Sequence, residues 1–246
     1  MRRRLATMLC GLAAVAQAQA PSGDWLLQKI DENQAAGNKI IVSEMIVHSR
    51  RGSRTIRSKS WIEGVNRAFS EYLDPPREAG TKTLKLANQL WIYTPATDRT
   101  IQIAGHMLRQ SMMGSDLSYE DLMEDPKLRN LYDSKVSGEA VVLERPCWIL
   151  HLTAKAGKDP AYHSRKVWAD KERFVVLREE RYATSGRLLK TAEVKSLRLA
   201  GQRWIADRAV FKDALKNDAG TEFVIQSIEF NAAIPEHIFS KASLRK

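Results

Sequence analysis

The residues able to do chemistry are scattered along this chain rather than gathered. The five histidines, His48, His106, His151, His163 and His237, fall on separate segments, and no two share a metal-ligand spacing. No nucleophile elbow, zinc-protease helix motif, Walker phosphate loop or dinucleotide glycine motif occurs. A nucleophile and a base come close in sequence only where Ser111 or Ser115 stands near His106. Asp116, Glu120, Asp121, Glu124 and Asp125 offer carboxylate oxygens, but without the ordered spacing and bend glycine of a calcium loop. Ser118-Tyr119-Glu120-Asp121 reads instead as a capping box that opens a short, solvated helix. Arg50, Arg51, Arg54, Arg57 and Lys59 straddle a turn and read as a solvated hairpin. The expectation is a protein without enzymatic activity, metal or cofactor, which works by binding.

The chain has an address. Arg2, Arg3 and Arg4 precede an apolar run from Leu5 to Val15, and Ala16-Gln17-Ala18 is a small-residue cleavage site, so residues 1–18 read as an export signal. One domain is then expected over residues 19–246, in a bacterial periplasm. No later apolar run reaches the roughly 18 to 20 residues needed to span a bilayer. The formal net charge is +10, and the three signal arginines carry three of those charges, leaving +7. Such an excess favours anionic surfaces and acidic partners, while export argues against nucleic acid. Cys147 is the only cysteine beyond the signal, so no internal disulfide forms, and its neighbours Trp148 and Ile149 mark it as core.

The elements that must position any site are strands. Ser22 or Asp24 caps a first helix with Trp25, Leu26 and Ile30 on one face. Apolar and polar residues then alternate from Lys39 to Ile103, punctuated by Arg51-Gly52-Ser53, Gly64 and Asp74-Pro75-Pro76. The alternation stops after Ile103 and returns near Val136, continuing in hairpin-spaced segments to Phe230. Between lies a methionine-rich, partly helical insertion with Met107, Met112, Met113 and Met123. About eleven strands joined by short turns pair antiparallel, and a sheet that wide curls. The predicted fold is mainly β (α+β): a strongly curved, incompletely closed antiparallel β-barrel, its concave apolar face covered by the N-terminal helix and the insertion.

If alternation holds, Trp61, Phe69, Trp91, Tyr93, Ile101 and Ile103 line that concave face, opposed by Met107, Leu108, Met112 and Met113 from the insertion. A barrel much wider than eight strands is not filled by its own side chains. Methionines on the cover suit a surface that repacks around variable apolar ligands. These ten residues are the candidate lipid-binding site.

At this point the chain resembles a known family. The run Leu90-Trp91-Ile92-Tyr93-Thr94-Pro95, the segment Gly114-Ser115-Asp116-Leu117-Ser118-Tyr119-Glu120-Asp121-Leu122, the export signal, the N-terminal helix and Phe239 near the end together resemble the outer-membrane lipoprotein-sorting proteins. These belong to the LolA-like superfamily of periplasmic lipoprotein carriers. The resemblance implies an unclosed barrel with a helical lid over a cavity for acyl chains, working without a cofactor. It also implies an arginine-proline latch after an early aromatic residue, whereas here Trp61 is followed by Ile62-Glu63-Gly64. The expected function is therefore a periplasmic carrier or chaperone that receives the acyl chains of a lipoprotein or lipid from an inner-membrane transporter and hands them to an outer-membrane acceptor. The alternative is an accessory without cargo, docking on such a transporter or an acidic partner through its basic surface, and its sign would be a closed interior filled by side chains.

Overall fold

Alternation along the chain becomes thirteen strands in one antiparallel sheet: β1 (Lys39–Ser49), β2 (Gly52–Glu63), β3 (Arg67–Asp74), β4 (Lys82–Leu86), β5 (Gln89–Thr94), β6 (Arg99–Ile103), β7 (Tyr132–Val142), β8 (Arg145–Ala154), β9 (Ser164–Asp170), β10 (Val176–Tyr182), β11 (Leu188–Ala200), β12 (Arg203–Asp213) and β13 (Thr221–Phe230). A computed structural model describes residues 20–34, 37–50, 52–217 and 219–245. Residues 1–18, read as the signal, and Arg51 of the basic run lie outside the described residues. The mainly β, curved and unclosed architecture is as expected, with thirteen strands rather than about eleven. The Leu84–Ile103 stretch hides part of the excess. Ala87 and Asn88 turn the chain between β4 and β5, with Ala87 at φ 49°, and neither Gly nor Pro marks the place.

The strand order is β6-β5-β4-β3-β2-β1-β13-β12-β11-β10-β9-β8-β7. The first and last strands pair with each other at the middle of the sheet, with Lys39 opposite Phe230 and Val47 opposite Thr221. The two free edges, β6 and β7, are consecutive in sequence, and the insertion joins them. Its helix α2 (Tyr119–Met123) shows how far the sheet curls. Lys85 on β4 donates to the carbonyls of Leu122 and Met123, while Asp121 of the same helix meets Arg181 on β10. Six strands separate β4 from β10, a distance of roughly 34 Å in a flat sheet, whereas five helical residues span only about 7.5 Å. The sheet therefore wraps around α2, and the face it turns inward is concave.

Helix α1 (Gly23–Gln34) covers the other part of that concave face. Ser22 caps it, accepting from Trp25 N–H at 3.2 Å. Leu26, Leu27 and Ile30 are fully buried against Tyr132, Leu150, Leu152 and Val167. Trp25, expected on the same face, is instead exposed and meets the edge of Phe174. Gly23 lets the helix approach β7, because a Cβ there would lie 2.5 Å from the Ser134 carbonyl oxygen. After β13 the chain crosses to the convex face, where Phe239 and Leu244 pack on Phe69, Leu84 and Trp91.

Candidate functional site

The insertion contributes no strand to the sheet. It is a chain of 3-10 turns, Gly105–Arg109, Met112–Gly114 and Leu128–Asn130, around the single short helix α2, so it is less helical than expected. It lies on the concave face as a lid. Met107, Leu108, Tyr119, Leu122 and Met123 pack on Leu90, Ile92 and Ile103 of β5 and β6. Met112, Met113 and Leu117 pack on Met45, Val47, Ile56, Tyr72 and Phe223 of β1, β2, β3 and β13. Between these apolar zones runs a strip of small hydroxyl residues, with Ser43 and Ser58 at 3.3 Å and Ser60 and Ser70 at 2.8 Å.

Register decides which of the ten sequence-predicted residues share this face. Trp61 lies opposite Phe69, Phe69 opposite Leu84, and Leu84 opposite Trp91. That row, with Tyr93, belongs to the convex face and is covered by the C-terminal tail. The turn at Pro95–Thr97 sets Ile92 opposite Ile101 and Leu90 opposite Ile103, so Ile101 and Ile103 face the lid. Ile103 is buried there, while Ile101 is 45% exposed. Met107, Leu108, Met112 and Met113 are all on the lid. The expected single face is thus two faces, six residues on the lid side and four on the far side. Sequence reasoning missed Met45, Val47, Ile56, Tyr72, Leu90, Ile92 and Phe223. Alternation marks each as strand, but only register tells which side it faces.

Polar side chains fix the lid. The capping box is present: Ser118 Oγ accepts from Asp121 N–H, and the Asp121 carboxylate accepts from Ser118 N–H at 2.7 Å. Asp121 does far more than cap. Arg181 of β10 donates to it at 2.8 Å, the Tyr162 hydroxyl at 2.6 Å, and Lys190 of β11 forms an ion pair with it. Burial opposes ionisation of Asp121, but Arg181 and Lys190 outweigh it and hold the carboxyl at about 2. Next along the lid, Glu124 pairs with Arg165 of β9, which is 2% exposed. Burial pushes the Glu124 carboxyl up despite that pairing. Beneath both, Glu179 joins Arg165 at 2.5 Å and Arg181 at 2.9 Å. Burial opposes its ionisation too, and the two guanidiniums hold Glu179 at about 2.

The lid's N-terminal half has its own ties. Asp116 accepts from Thr221 Oγ1 at 2.6 Å and from Asp213 N–H at 3.0 Å, Lys216 donates to the Ser115 carbonyl at 2.6 Å, and Arg54 donates to the Met113 carbonyl. Two expectations are corrected here. The acidic cluster is not a solvated helix face, because Asp116, Asp121 and Glu124 are buried or nearly so and bonded to the sheet. Arg54 is not a free hairpin charge, because it reaches the lid and Glu78. No hydrogen bond among the described residues joins His106 to Ser111 or Ser115: Ser111 accepts from Lys216, and Ser115 donates to the Met112 carbonyl.

Among the described residues, cavities border the lid in several places. One of about 520 Å³ lies along Ser111, Leu117 and Ser118, facing Tyr162, Arg187 and Lys190. Another of about 430 Å³ lies between Leu108 and Met123 of the lid and Lys85 of β4. A third, about 230 Å³, is under the lid among Glu124, Leu128, Arg165, Glu179, Arg181, Val194 and Phe211. The apolar parts of the concave face are otherwise packed by side chains of the lid and of α1.

No curated protein sequence matches the chain. Solved structures do. A DUF1329 family protein from Desulfovibrio piger superposes with a TM-score of 0.83 at 22% identity, covering 90% of this chain and 97% of that one. An outer membrane lipoprotein-sorting protein domain from Vibrio parahaemolyticus gives 0.78 at 23% identity, over 91% and 98% of the two chains. A LolA superfamily protein from Nitrosomonas europaea gives 0.74 at 19% identity, over 91% and 100%. A family model described as "Uncharacterized protein" matches residues 64–246. The chain therefore belongs to that family, and its fold is that of the LolA-like lipoprotein-sorting proteins.

Proposed function

We propose that this protein is a periplasmic carrier that takes the acyl chains of a lipoprotein or lipid against its concave face, in place of the lid, and passes them toward the outer membrane. The observation that carries this reading is the way the lid is attached. It fills the concave face with flexible methionines yet adds no strand to the sheet, and its ties are side-chain ion pairs and hydrogen bonds that can exchange. Lifting it would bare Met45, Val47, Ile56, Leu90, Ile92 and Ile103 to a ligand. Each buried CH₂ contributes about 0.8 kcal/mol, so a fourteen-carbon chain supplies up to roughly 10 kcal/mol toward displacing the lid. Ile101, Ile103, Met107, Leu108, Met112 and Met113 are the residues of this site. Trp61, Phe69, Trp91 and Tyr93 act on the far side, as its structural backing.

Donor and acceptor in this reading are an inner-membrane transporter and an outer-membrane receptor, and no catalytic step is involved. One observation favours the accessory reading instead: with the lid closed, side chains fill most of the concave face. Mass spectrometry of organic extracts separates the two, using protein purified from the periplasm without detergent. The carrier reading expects near-stoichiometric acyl lipid or lipopeptide. Extracts that stay empty after incubation with membranes favour the accessory.

A further inference from the structure

The charges under the lid constrain what can replace it. With the lid closed, three cations of the sheet, Arg165, Arg181 and Lys190, meet three carboxylates, Glu179 from the sheet and Asp121 and Glu124 from the lid. On the carrier reading, the lid takes Asp121 and Glu124 away when it lifts. Three cations then face one carboxylate. An arginine does not shed its charge by deprotonation, and an uncompensated buried charge costs several kcal/mol. A purely apolar ligand laid over this face would leave that cost standing.

A second observation points the same way. Arg165 and Arg181 border the 230 Å³ cavity under the lid, and the buried Nε of each has no hydrogen-bond partner among the described residues. Their other nitrogens are engaged: Arg165 with Glu124 and Glu179, Arg181 with Asp121 and Glu179. Two unmatched donors around one space call for a group rich in acceptor oxygens. The volume is close to that of roughly eight liquid water molecules, which accommodates a phosphate group. Guanidinium forks match phosphate oxygens in charge and in geometry.

We propose that the cargo carries a phosphate beside its acyl chains, and that this phosphate takes the places of Asp121 and Glu124 on Arg165, Arg181 and Lys190. Entry of the headgroup and release of the lid are then one exchange of anions. This rests on the carrier reading and narrows it to phosphate-bearing lipids, excluding neutral acylglycerols.

The test compares three ligands on the full-length mature protein by titration calorimetry: dioctanoyl phosphatidic acid, dioctanoylglycerol and glycerol 3-phosphate. Phosphatidic acid is expected to bind at least tenfold more tightly than dioctanoylglycerol, and glycerol 3-phosphate not measurably, since no acyl chain opens the lid. Lys190→Gln is expected to narrow the tenfold preference at least threefold. Equal affinity of the wild-type protein for the two lipids overturns the proposal while leaving the carrier reading intact. Binding of neither lipid overturns the carrier reading itself. Glycerol 3-phosphate binding as tightly as phosphatidic acid would make this a site for free phosphate and overturn the headgroup assignment.

Discussion

Asp121 on the lid and Arg181 on β10 lie 2.8 Å apart, although they are far separated along the chain. The same carboxylate caps the only helix of the lid, so one side chain both shapes the lid and fastens it. The Asp121 side chain is 7% exposed, which keeps water from screening the pair.

The first prediction concerns this residue and pH. The Asp121 carboxyl is held at about 2, below its ordinary 3.8. A depressed carboxyl stabilises the folded state above its ordinary value, and that contribution is lost as pH falls from about 4 toward 2. Asp121→Asn is expected to cost roughly 2 kcal/mol at pH 7 in urea unfolding, with the gap to wild type closing below pH 4. Glu124 has the opposite sign: its raised carboxyl opposes folding more as pH rises. Glu124→Gln should therefore lose less at pH 7 than Asp121→Asn.

The lid's methionines should govern uptake. Met112→Asp places a charge among Met45, Val47, Ile56 and Tyr72. Binding of a fluorescent fatty acid is expected to fall at least tenfold while the far-ultraviolet circular dichroism of the sheet is kept. Unchanged binding would mean that the lid side is not the ligand side.

The convex face should behave differently. Phe239 is buried with Phe69, Leu84 and Trp91 under the C-terminal tail. Phe239→Ala is expected to destabilise the protein by about 3 kcal/mol through the cavity left behind. Fatty-acid affinity, measured well below the midpoint of thermal unfolding, should stay within twofold of wild type.

Helix α1 tests the other cover. A Cβ on Gly23 would meet the Ser134 carbonyl oxygen at 2.5 Å, so Gly23→Ala must push the helix off β7. The expected cost is about 1 to 3 kcal/mol, read as a lower melting temperature. An unchanged melting temperature would show that α1 is not tightly seated on Tyr132, Leu150 and Leu152.

Much of this was legible in the sequence, and what was not has a physical reason. Period-two alternation and turn residues located nearly every strand, and Ser118 with Asp121 announced the start of α2, because these signals are local. The side of the sheet on which an aromatic residue lies is not local. Trp91 and Ile103 both fit a strand pattern, and only the pairing of Leu90 with Ile103 across the Pro95–Thr97 turn puts them on opposite faces. The latch was the least legible part. The resemblance pointed to an arginine after Trp61, whereas the cations that pair with the lid's carboxylates sit on β9, β10 and β11. The acidic residues of the insertion read as solvated because their partners are far along the chain.

The most direct measurement is lipid uptake with the lid chemically locked. Ser111 on the lid accepts from Lys216 just beyond β12, and both are accessible, so Ser111→Cys with Lys216→Cys can be bridged by a short bismaleimide, with Cys147 buried and protected. Fatty-acid binding is expected to be near wild type in the unbridged double variant and at least tenfold weaker once bridged. Full binding by the bridged protein would contradict the account, since the acyl chains would then be held somewhere other than beneath the lid.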